Sequence, residues 1–133
     1  MDCAYPAGDS LIRGGEQRVR LDTITLDLYP ADDAGEIDKL GVRVSATAQH
    51  YGKRVDVGEI GLQTCKTCWT EQDQATYLPK AIASLKNAQP GVVLLYQVRD
   101  QSTDSTNGEA TFGIRHYDGS PKVAYDDVIA AMH

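Results

Sequence analysis

Apolar and polar side chains alternate along residues 21–30, and this pattern predicts a half-buried β-strand closed by Pro30. Residues 36–51 carry apolar side chains at spacings of three and four behind an acidic first turn. That spacing predicts an amphipathic helix, which ends at Gly52. The β-branched run that follows predicts a second strand, which ends at Glu59.

The second half of the chain repeats this order of elements. A capping sequence begins a predicted helix over residues 70–87, which Pro79 should kink or divide. The continuous apolar run 92–98 predicts a strand that is buried on both faces. After a polar loop, Ser120 caps and Pro121 opens a predicted final helix. The order βαβαβα, with right-handed crossovers, predicts an α/β fold with three parallel strands.

Composition narrows the classes of function. The chain has 133 residues and a formal net charge of -6, which suit one globular domain and argue against a nucleic-acid surface. Its apolar runs are strand-sized, so no membrane partner is expected, and no Gly-rich phosphate loop follows a strand, so no nucleotide cofactor is expected. The first residues show no signal-peptide pattern, which predicts a cytoplasmic location by default.

The cysteine spacing leaves several interpretations open. Cys65 and Cys68 have the spacing of a redox pair or of half a zinc site, and with Cys3 the chain has three cysteines, so at least one is unpaired. No second Cys-x-x-Cys or nearby histidine pair completes a zinc site, so we predict no metal. A surface loop that carries two cysteines is the simpler interpretation.

The sequence Gly-Glu-Ile-Gly places one carboxylate, Glu59, at the carboxyl end of a predicted parallel strand. Chemistry in parallel α/β folds takes place at that edge of the sheet. Glu59 is therefore the first candidate for a catalytic residue, although a carboxylate at a strand end is more often a solvated loop residue.

Several segments together resemble a known family. The chain has strands that end in Leu-Tyr-Pro and Gly-Glu-Ile-Gly, a Gln-Ala-x-Tyr-Leu helix, and the runs Leu-Leu-Tyr-Gln-Val-Arg-Asp, Phe-Gly-Ile and Asp-Gly-Ser-Pro-Lys-x-Ala-Tyr. In this order they resemble the C-terminal part of a (β/α)₈ glycoside hydrolase from the large retaining clan that includes cellulases and β-xylosidases. The resemblance implies a partial TIM barrel of three βα units over residues 21–133, preceded by a loop-rich segment, 1–20.

The resemblance also implies roles for individual residues. Glu59 matches the nucleophile, Tyr29 an aromatic residue that can hydrogen-bond the nucleophile, and Tyr96 an aromatic platform under a sugar ring. Asp27 stands where the family commonly has His, and Leu62 stands where an aromatic residue often follows the Gly. The expected partner is a carbohydrate substrate.

Two further residues complete the candidate site, each with a structural alternative. Trp69 either borders a sugar subsite or packs a loop on a helix. Arg99 either contacts substrate or forms a local ion pair with Asp100 beside the pocket. Tyr29 and Tyr96 could likewise be half-buried aromatics without a ligand.

The expected general acid/base is missing from this sequence. The family supplies it in an Asn-Glu pair, which does not occur here, so we expect little or no activity from the chain alone. The alternative function is a non-catalytic carbohydrate-binding or assembly module that uses Tyr29, Trp69 and Tyr96. An open three-stranded sheet would also expose its edges, which predicts self-association as a homo-oligomer, partial disorder, a missing N-terminal half-barrel, or cover from the first twenty residues.

Overall fold

A computed structural model describes residues 22–30 and 34–133. The elements are β1 (Thr23–Leu28), α1 (Leu40–Tyr51), β2 (Arg54–Ile60), α2 (Glu71–Asn87), β3 (Val93–Leu95) and α3 (Tyr125–Met132). A 3₁₀ helix, Ala34–Lys39, leads directly into α1, and a second, Gly108–Ala110, lies between β3 and α3. The segment 1–20, predicted to be loop-rich, lies outside the described residues.

The three strands form one open sheet in the order β1-β2-β3, and both pairings are parallel. This arrangement confirms the predicted α/β class and the parallel direction of the strands. Because all three strands run the same way, their carboxyl ends lie along one edge of the sheet. β2 is central, so the residues at its carboxyl end are flanked by the ends of both other strands.

The hydrophobic core lies between one face of the sheet and the helices. Val57 and Ile60 of β2 are buried together with the inner face of α2, and α2 also packs against α1 and α3. The cluster further includes buried residues from every helix: Leu40, Val44, Leu78, Ile82, Leu85 and Val128. Burial of these side chains supplies most of the driving force for folding.

A β-bulge sets the orientation of Glu59. Leu26 is paired with Val57, but the next residue, Asp27, is paired with Glu59, so Gly58 is the extra residue. Before the bulge Val57 faces the core, and after it Ile60 does. Strict alternation would have placed Glu59 on the same side as Val57, so the bulge is what keeps the carboxylate out of the core.

The ends of two helices agree with the sequence. Thr70 caps α2 through a complete capping box, in which its hydroxyl accepts from the Asp73 N–H at 3.0 Å and its own N–H donates to the Asp73 carboxylate at 2.9 Å. Gly52 ends α1 at a φ of 59°. The predicted division at Pro79 is wrong, because α2 is assigned as one helix on both sides of that residue. Its buried face continues from Leu78 to Leu85.

The strand predicted over residues 92–98 is shorter and less buried than expected. β3 contains three residues, and Leu94 at its centre is 55% exposed. Val92 and Val98 are also exposed. The helices cover only one face of the sheet, so the prediction of burial on both faces is wrong within the described ranges.

The final helix starts later than Ser120. Ser120 donates its hydroxyl to Asp118 Oδ1 at 2.6 Å, and its N–H donates to the same oxygen at 2.8 Å. These bonds close a turn, and α3 begins only at Tyr125. A Ser-Pro pair is compatible with a turn as well as with a helix start, and here it forms a turn. In the described part of the chain, no helix combines the length and apolar character needed to cross a bilayer.

Candidate active site

The carboxyl ends of β1 and β2 bring Tyr29 and Glu59 into direct contact. The Tyr29 hydroxyl donates a hydrogen bond to Glu59 Oε2. Tyr29 is the first residue after β1, and Glu59 is the second-last residue of β2, just past the bulge. The pair lies at the edge of the sheet where the sequence placed the candidate chemistry.

Tyr29 also belongs to an aromatic cluster, whose other members are Tyr96 and Phe112. The ring of Phe112 lies 5.3 Å from that of Tyr29 and 5.4 Å from that of Tyr96, measured between centroids. Tyr29 and Tyr96 are 6.3 Å apart, with perpendicular ring planes. Edge-to-face contacts of this kind add about 0.5–1.5 kcal/mol each to the burial of the rings. The Tyr96 hydroxyl accepts from Gln101 Nε2 at 3.1 Å.

Gly61 makes this close approach possible. A Cβ atom added there would lie 1.9 Å from the Tyr96 carbonyl oxygen and 3.0 Å from the Phe112 ring. The absence of a side chain therefore lets β2 and the end of β3 come together under the aromatic cluster. The second glycine of the Gly-Glu-Ile-Gly sequence thus has a packing role, as the first has at the bulge.

The environment favours a neutral Tyr29. Burial raises the pKa of Tyr29 well above its usual value of about 10, and so do the hydrogen bond to Glu59 and the negative charges of Glu59 and Asp27. Tyr29 therefore remains a hydroxyl donor across the physiological pH range. Glu59 accepts that hydrogen bond, which fixes the orientation of its carboxyl group.

Asp27 is exposed and lies at the same edge of the sheet. One of its carboxylate oxygens lies 2.8 Å from where a Cβ of Gly58 would be, so its side chain crosses over the bulge. Its charge acts on the Tyr29 hydroxyl, as described above. The structure therefore brings Asp27, Tyr29, Glu59 and Tyr96 together out of the six residues that the sequence nominated.

The other two nominated residues make different contacts. Trp69 stacks edge-on against Tyr77 of α2, with 5.2 Å between ring centroids, so it packs its loop on that helix. The expected ion pair between Arg99 and Asp100 is wrong. The backbone of Arg99 forms a bridge with Arg115, whereas Asp100 turns inward to a different cation.

That cation is Lys122, which is buried with Asp100 in a polar network. The Lys122 ammonium donates to Asp100 Oδ1 at 2.9 Å, to Thr64 Oγ1 at 2.7 Å and to the Thr111 carbonyl at 3.3 Å. Asp100 Oδ1 also accepts from the Gly113 N–H at 2.8 Å. These bonds hold the segment before Gly113 against the loop after β2, which positions the neighbouring Phe112.

Two of these features have no direct signal in the local sequence pattern. Phe112, the one phenylalanine of the chain, enters the sequence analysis only as part of the Phe-Gly-Ile run. The Asp100–Lys122 pair joins residues that are 22 positions apart, and nothing in the local pattern links them. A lysine two residues after a turn is ordinarily a solvated surface residue.

Cys65 and Cys68 are joined by a disulfide bond in the loop between β2 and α2. Both sulfur atoms are therefore used, and the zinc half-site interpretation does not fit this arrangement. Within the described ranges, no group of three or more His, Cys, Asp or Glu side chains could hold a metal ion.

Comparison with known proteins shows similarity in fold rather than in sequence. No protein-family model matches the chain, and no curated protein matches it. The structure is similar to the β-glucuronidase of Bifidobacterium dentium complexed with coumarin-3-O-glucuronide, with a TM-score of 0.65 and 18% identity over 81% of this chain and 20% of that one.

Two further solved structures give the same result. The GH2 β-galacturonidase of Eisenbergiella tayi bound to galacturonate has a TM-score of 0.68 and 17% identity over 84% of this chain and 23% of that one. The β-D-glucuronidase of Dictyoglomus thermophilum has a TM-score of 0.66 and 14% identity over 81% and 22%. The chain thus spans about a fifth of the length of these structures, and its structural neighbours are glycoside hydrolases.

Proposed function

We propose that this chain is the nucleophile-bearing part of a retaining (β/α)₈ glycoside hydrolase, with Glu59 as the nucleophile. The hydrogen bond from Tyr29 to Glu59, at the carboxyl ends of two adjacent parallel strands, carries this proposal. The fold similarity to glycoside hydrolases supports it. The proposal includes membership of the retaining clan that the sequence resemblance suggests and a complete (β/α)₈ barrel in the intact protein.

The chemistry assigns one step to each side chain. Glu59 attacks the anomeric carbon, and its new C–O bond forms as the bond to the leaving group breaks, so that the leaving group takes the electron pair. Tyr29 holds the Glu59 carboxylate in the orientation for attack. Tyr96 and Phe112 form an apolar wall against which a sugar ring can pack. Water then releases the sugar from the glycosyl ester.

The leaving group also needs a proton, and a second carboxyl about 5 Å from the nucleophile supplies it in retaining enzymes. Asp27 is the other carboxylate that the described residues bring to the cluster, and it is exposed. We propose that further βα units, rather than Asp27, supply the general acid/base. Because general acid/base catalysis contributes a factor of about 10²–10⁴, the chain alone should hydrolyse unactivated glycosides poorly.

A trapping experiment tests the nucleophile without the missing acid. Fluoride leaves without strong acid assistance, so 2-deoxy-2-fluoro β-glycosyl fluorides of the gluco, xylo, glucurono and galacturono series are suitable probes. The two uronides are included because the neighbouring structures are glucuronidases and a galacturonidase. We expect intact-mass labelling by one of them, with the adduct mapped to Glu59.

Two variants control this experiment. Glu59→Gln should abolish labelling, whereas Asp27→Asn should retain it, because fluoride departure does not depend on a proton donor. If no probe labels the folded chain, or if labelling survives Glu59→Gln, then Glu59 is not a competent nucleophile. Glycan binding that survives Glu59→Ala but not Tyr96→Ala would instead favour the carbohydrate-binding module, which the partly exposed aromatic cluster could also serve.

The helices leave one face of the sheet uncovered, and we expect a partner to bind to this face. Leu94, Val92 and Val98 are exposed, and β1 and β3 are both edge strands. We propose that additional βα units or a second copy covers this face, since exposed edges and apolar patches promote association. Sedimentation velocity should show self-association, and Leu94→Lys should reduce it. A monodisperse monomer at high concentration would contradict this proposal.

A further inference from the structure

A cleft of about 370 Å³, lined by residues with polar side chains, lies beside the candidate active site. It opens between the start of α2, at Glu71, and the long segment between β3 and α3. None of the four residues Tyr29, Glu59, Tyr96 and Phe112 lines it. Thr111 lines the cleft, while the next residue, Phe112, packs in the aromatic cluster, so the backbone at this point separates the two places.

The floor of the cleft is a buried carboxylate that keeps one free oxygen. Asp100 Oδ1 is occupied by Lys122 and by the Gly113 N–H. Among the residues that the structure describes, no hydrogen bond to Asp100 Oδ2 is found. This oxygen is also not among the fully buried side-chain atoms that lack a hydrogen-bond partner. Asp100 is therefore a fixed acceptor on the cleft surface. Its hydrogen bonds to Lys122 and to the Gly113 N–H already fix its position before a ligand binds.

Lys122 cannot act as a cationic anchor for an anion. Its side chain is 1% exposed, and its three protons are directed to Asp100, Thr64 and the Thr111 carbonyl. The other ionisable side chains of the lining are the carboxylates of Glu71 and Asp118 and the imidazole of His116, which lies 3.5 Å from Glu71. This charge distribution disfavours phosphate and carboxylate ligands.

The walls supply groups that suit hydroxyl-bearing ligands. Ser102 accepts from the Asp104 N–H at 3.1 Å, which leaves its own proton free to donate. Ser105 contributes a further hydroxyl. Tyr117 is 52% exposed at the rim and can pack against the C–H face of a ring. Sugar hydroxyl groups both donate and accept, so they can use the carboxylate acceptors and the serine donors at once.

We infer that this cleft is a second binding site, which takes a neutral polyhydroxylated ligand of about the size of one sugar ring. Its volume falls within the range of small-ligand pockets, about 300–1,000 Å³. The site is distinct from the nucleophile and does not require it. The inference therefore stands or falls independently of the proposed hydrolase function.

Amide chemical-shift mapping of the full chain tests this inference. The Glu59→Gln variant is titrated with methyl β-D-glucoside, methyl β-D-xyloside and methyl β-D-galactoside, so that turnover cannot complicate the result. We expect saturable shifts at Ser102, Ser105 and Tyr117 with at least one glycoside, and none with inorganic phosphate. Tyr117→Ala should weaken binding by about 2- to 12-fold, the equivalent of one aromatic contact.

Tyr51→Ala is the matched control, because Tyr51 is an equally exposed tyrosine on α1, and this variant should bind with unchanged affinity. Shifts confined to the neighbourhood of Tyr29 and Tyr96 would overturn the inference while supporting the proposed function. The absence of saturable shifts with all three glycosides, or binding of phosphate alone, would also overturn it. Whether Glu59 is labelled in the trapping experiment does not change how any of these outcomes is interpreted.

Discussion

Glu59, near the end of β2, and Asp100, in the segment that follows β3, are two carboxylates whose partners differ. Glu59 accepts from the neutral hydroxyl of Tyr29, and no cation of the described residues forms an ion pair with it. Asp100 is buried with the ammonium of Lys122 and accepts a backbone N–H on the same oxygen. A neutral donor orients a carboxylate and leaves it able to react, whereas a buried cation turns a carboxylate into part of the framework.

The two places are mechanically connected. Gly113 donates to Asp100, and its neighbour Phe112 packs against Tyr29 and Tyr96. The buried ion pair thus positions one wall of the aromatic cluster without touching Glu59. If this comparison is right, changes in the ion pair should mainly affect stability, and changes beside Glu59 should mainly affect the site.

The largest effect is expected from Lys122→Met. Removal of the ammonium leaves the Asp100 charge buried without its partner, which should lower the free energy of unfolding by about 3–5 kcal/mol. Urea denaturation measures this change. Lys53→Met, at an exposed position of the same residue type, should change stability by less than about 0.5 kcal/mol. Equal stability of the two variants would show that the Asp100–Lys122 ion pair does not stabilise the fold.

Gly61→Ala should have the next largest effect. The added methyl group would meet the Tyr96 carbonyl oxygen, so the end of β3 must move away from β2. Overpacking of this kind costs about 1–3 kcal/mol. We expect reduced stability together with an altered near-ultraviolet circular dichroism spectrum, since the tyrosine rings change their surroundings. A variant with an unchanged spectrum would show that the close approach does not hold the aromatic cluster.

Tyr29→Phe should be milder for stability and stronger for the site. Loss of one hydrogen bond at a partly exposed position costs about 1 kcal/mol. The Glu59 carboxylate loses its orienting donor, so labelling by the fluoro-glycosyl fluoride should become slower. Tyr125→Phe, which keeps the ring over Arg115, is the control and should label at the original rate. Faster labelling of the Tyr29 variant would contradict the orienting role.

The smallest effect concerns alkaline pH. The pKa of Tyr29 is raised in the folded chain, so the unfolded chain loses this proton first, at about pH 10. The contribution of Tyr29 to stability is therefore fully present below about pH 10 and declines as the pH rises further. Denaturant titrations at increasing alkaline pH should show a steeper decline for the wild type than for Tyr29→Phe. Parallel pH profiles would place the Tyr29 hydroxyl in an ordinary environment.

Local patterns were sufficient for most of the secondary structure. Alternation located β1, the β-branched run located β2, the capping box at Thr70 located the start of α2, and Gly52 located the end of α1. The prediction for Ser120 was wrong because a turn competes for the same hydroxyl. The prediction for residues 92–98 was wrong because an apolar run does not reveal whether a second layer of structure covers it.

The family resemblance added Tyr29 and Tyr96 to the candidate site. The residue pattern by itself determined the α/β class, the order of the elements and the nomination of Glu59. These depend on residue periodicity and on the topology that parallel strands impose, both of which act over short stretches of chain. Only the tertiary structure decided that Gly58 forms a bulge, that Phe112 closes the aromatic cluster and that Lys122 is buried against Asp100. Each of these depends on contacts between segments distant in sequence, where packing and desolvation, rather than local preference, select the arrangement.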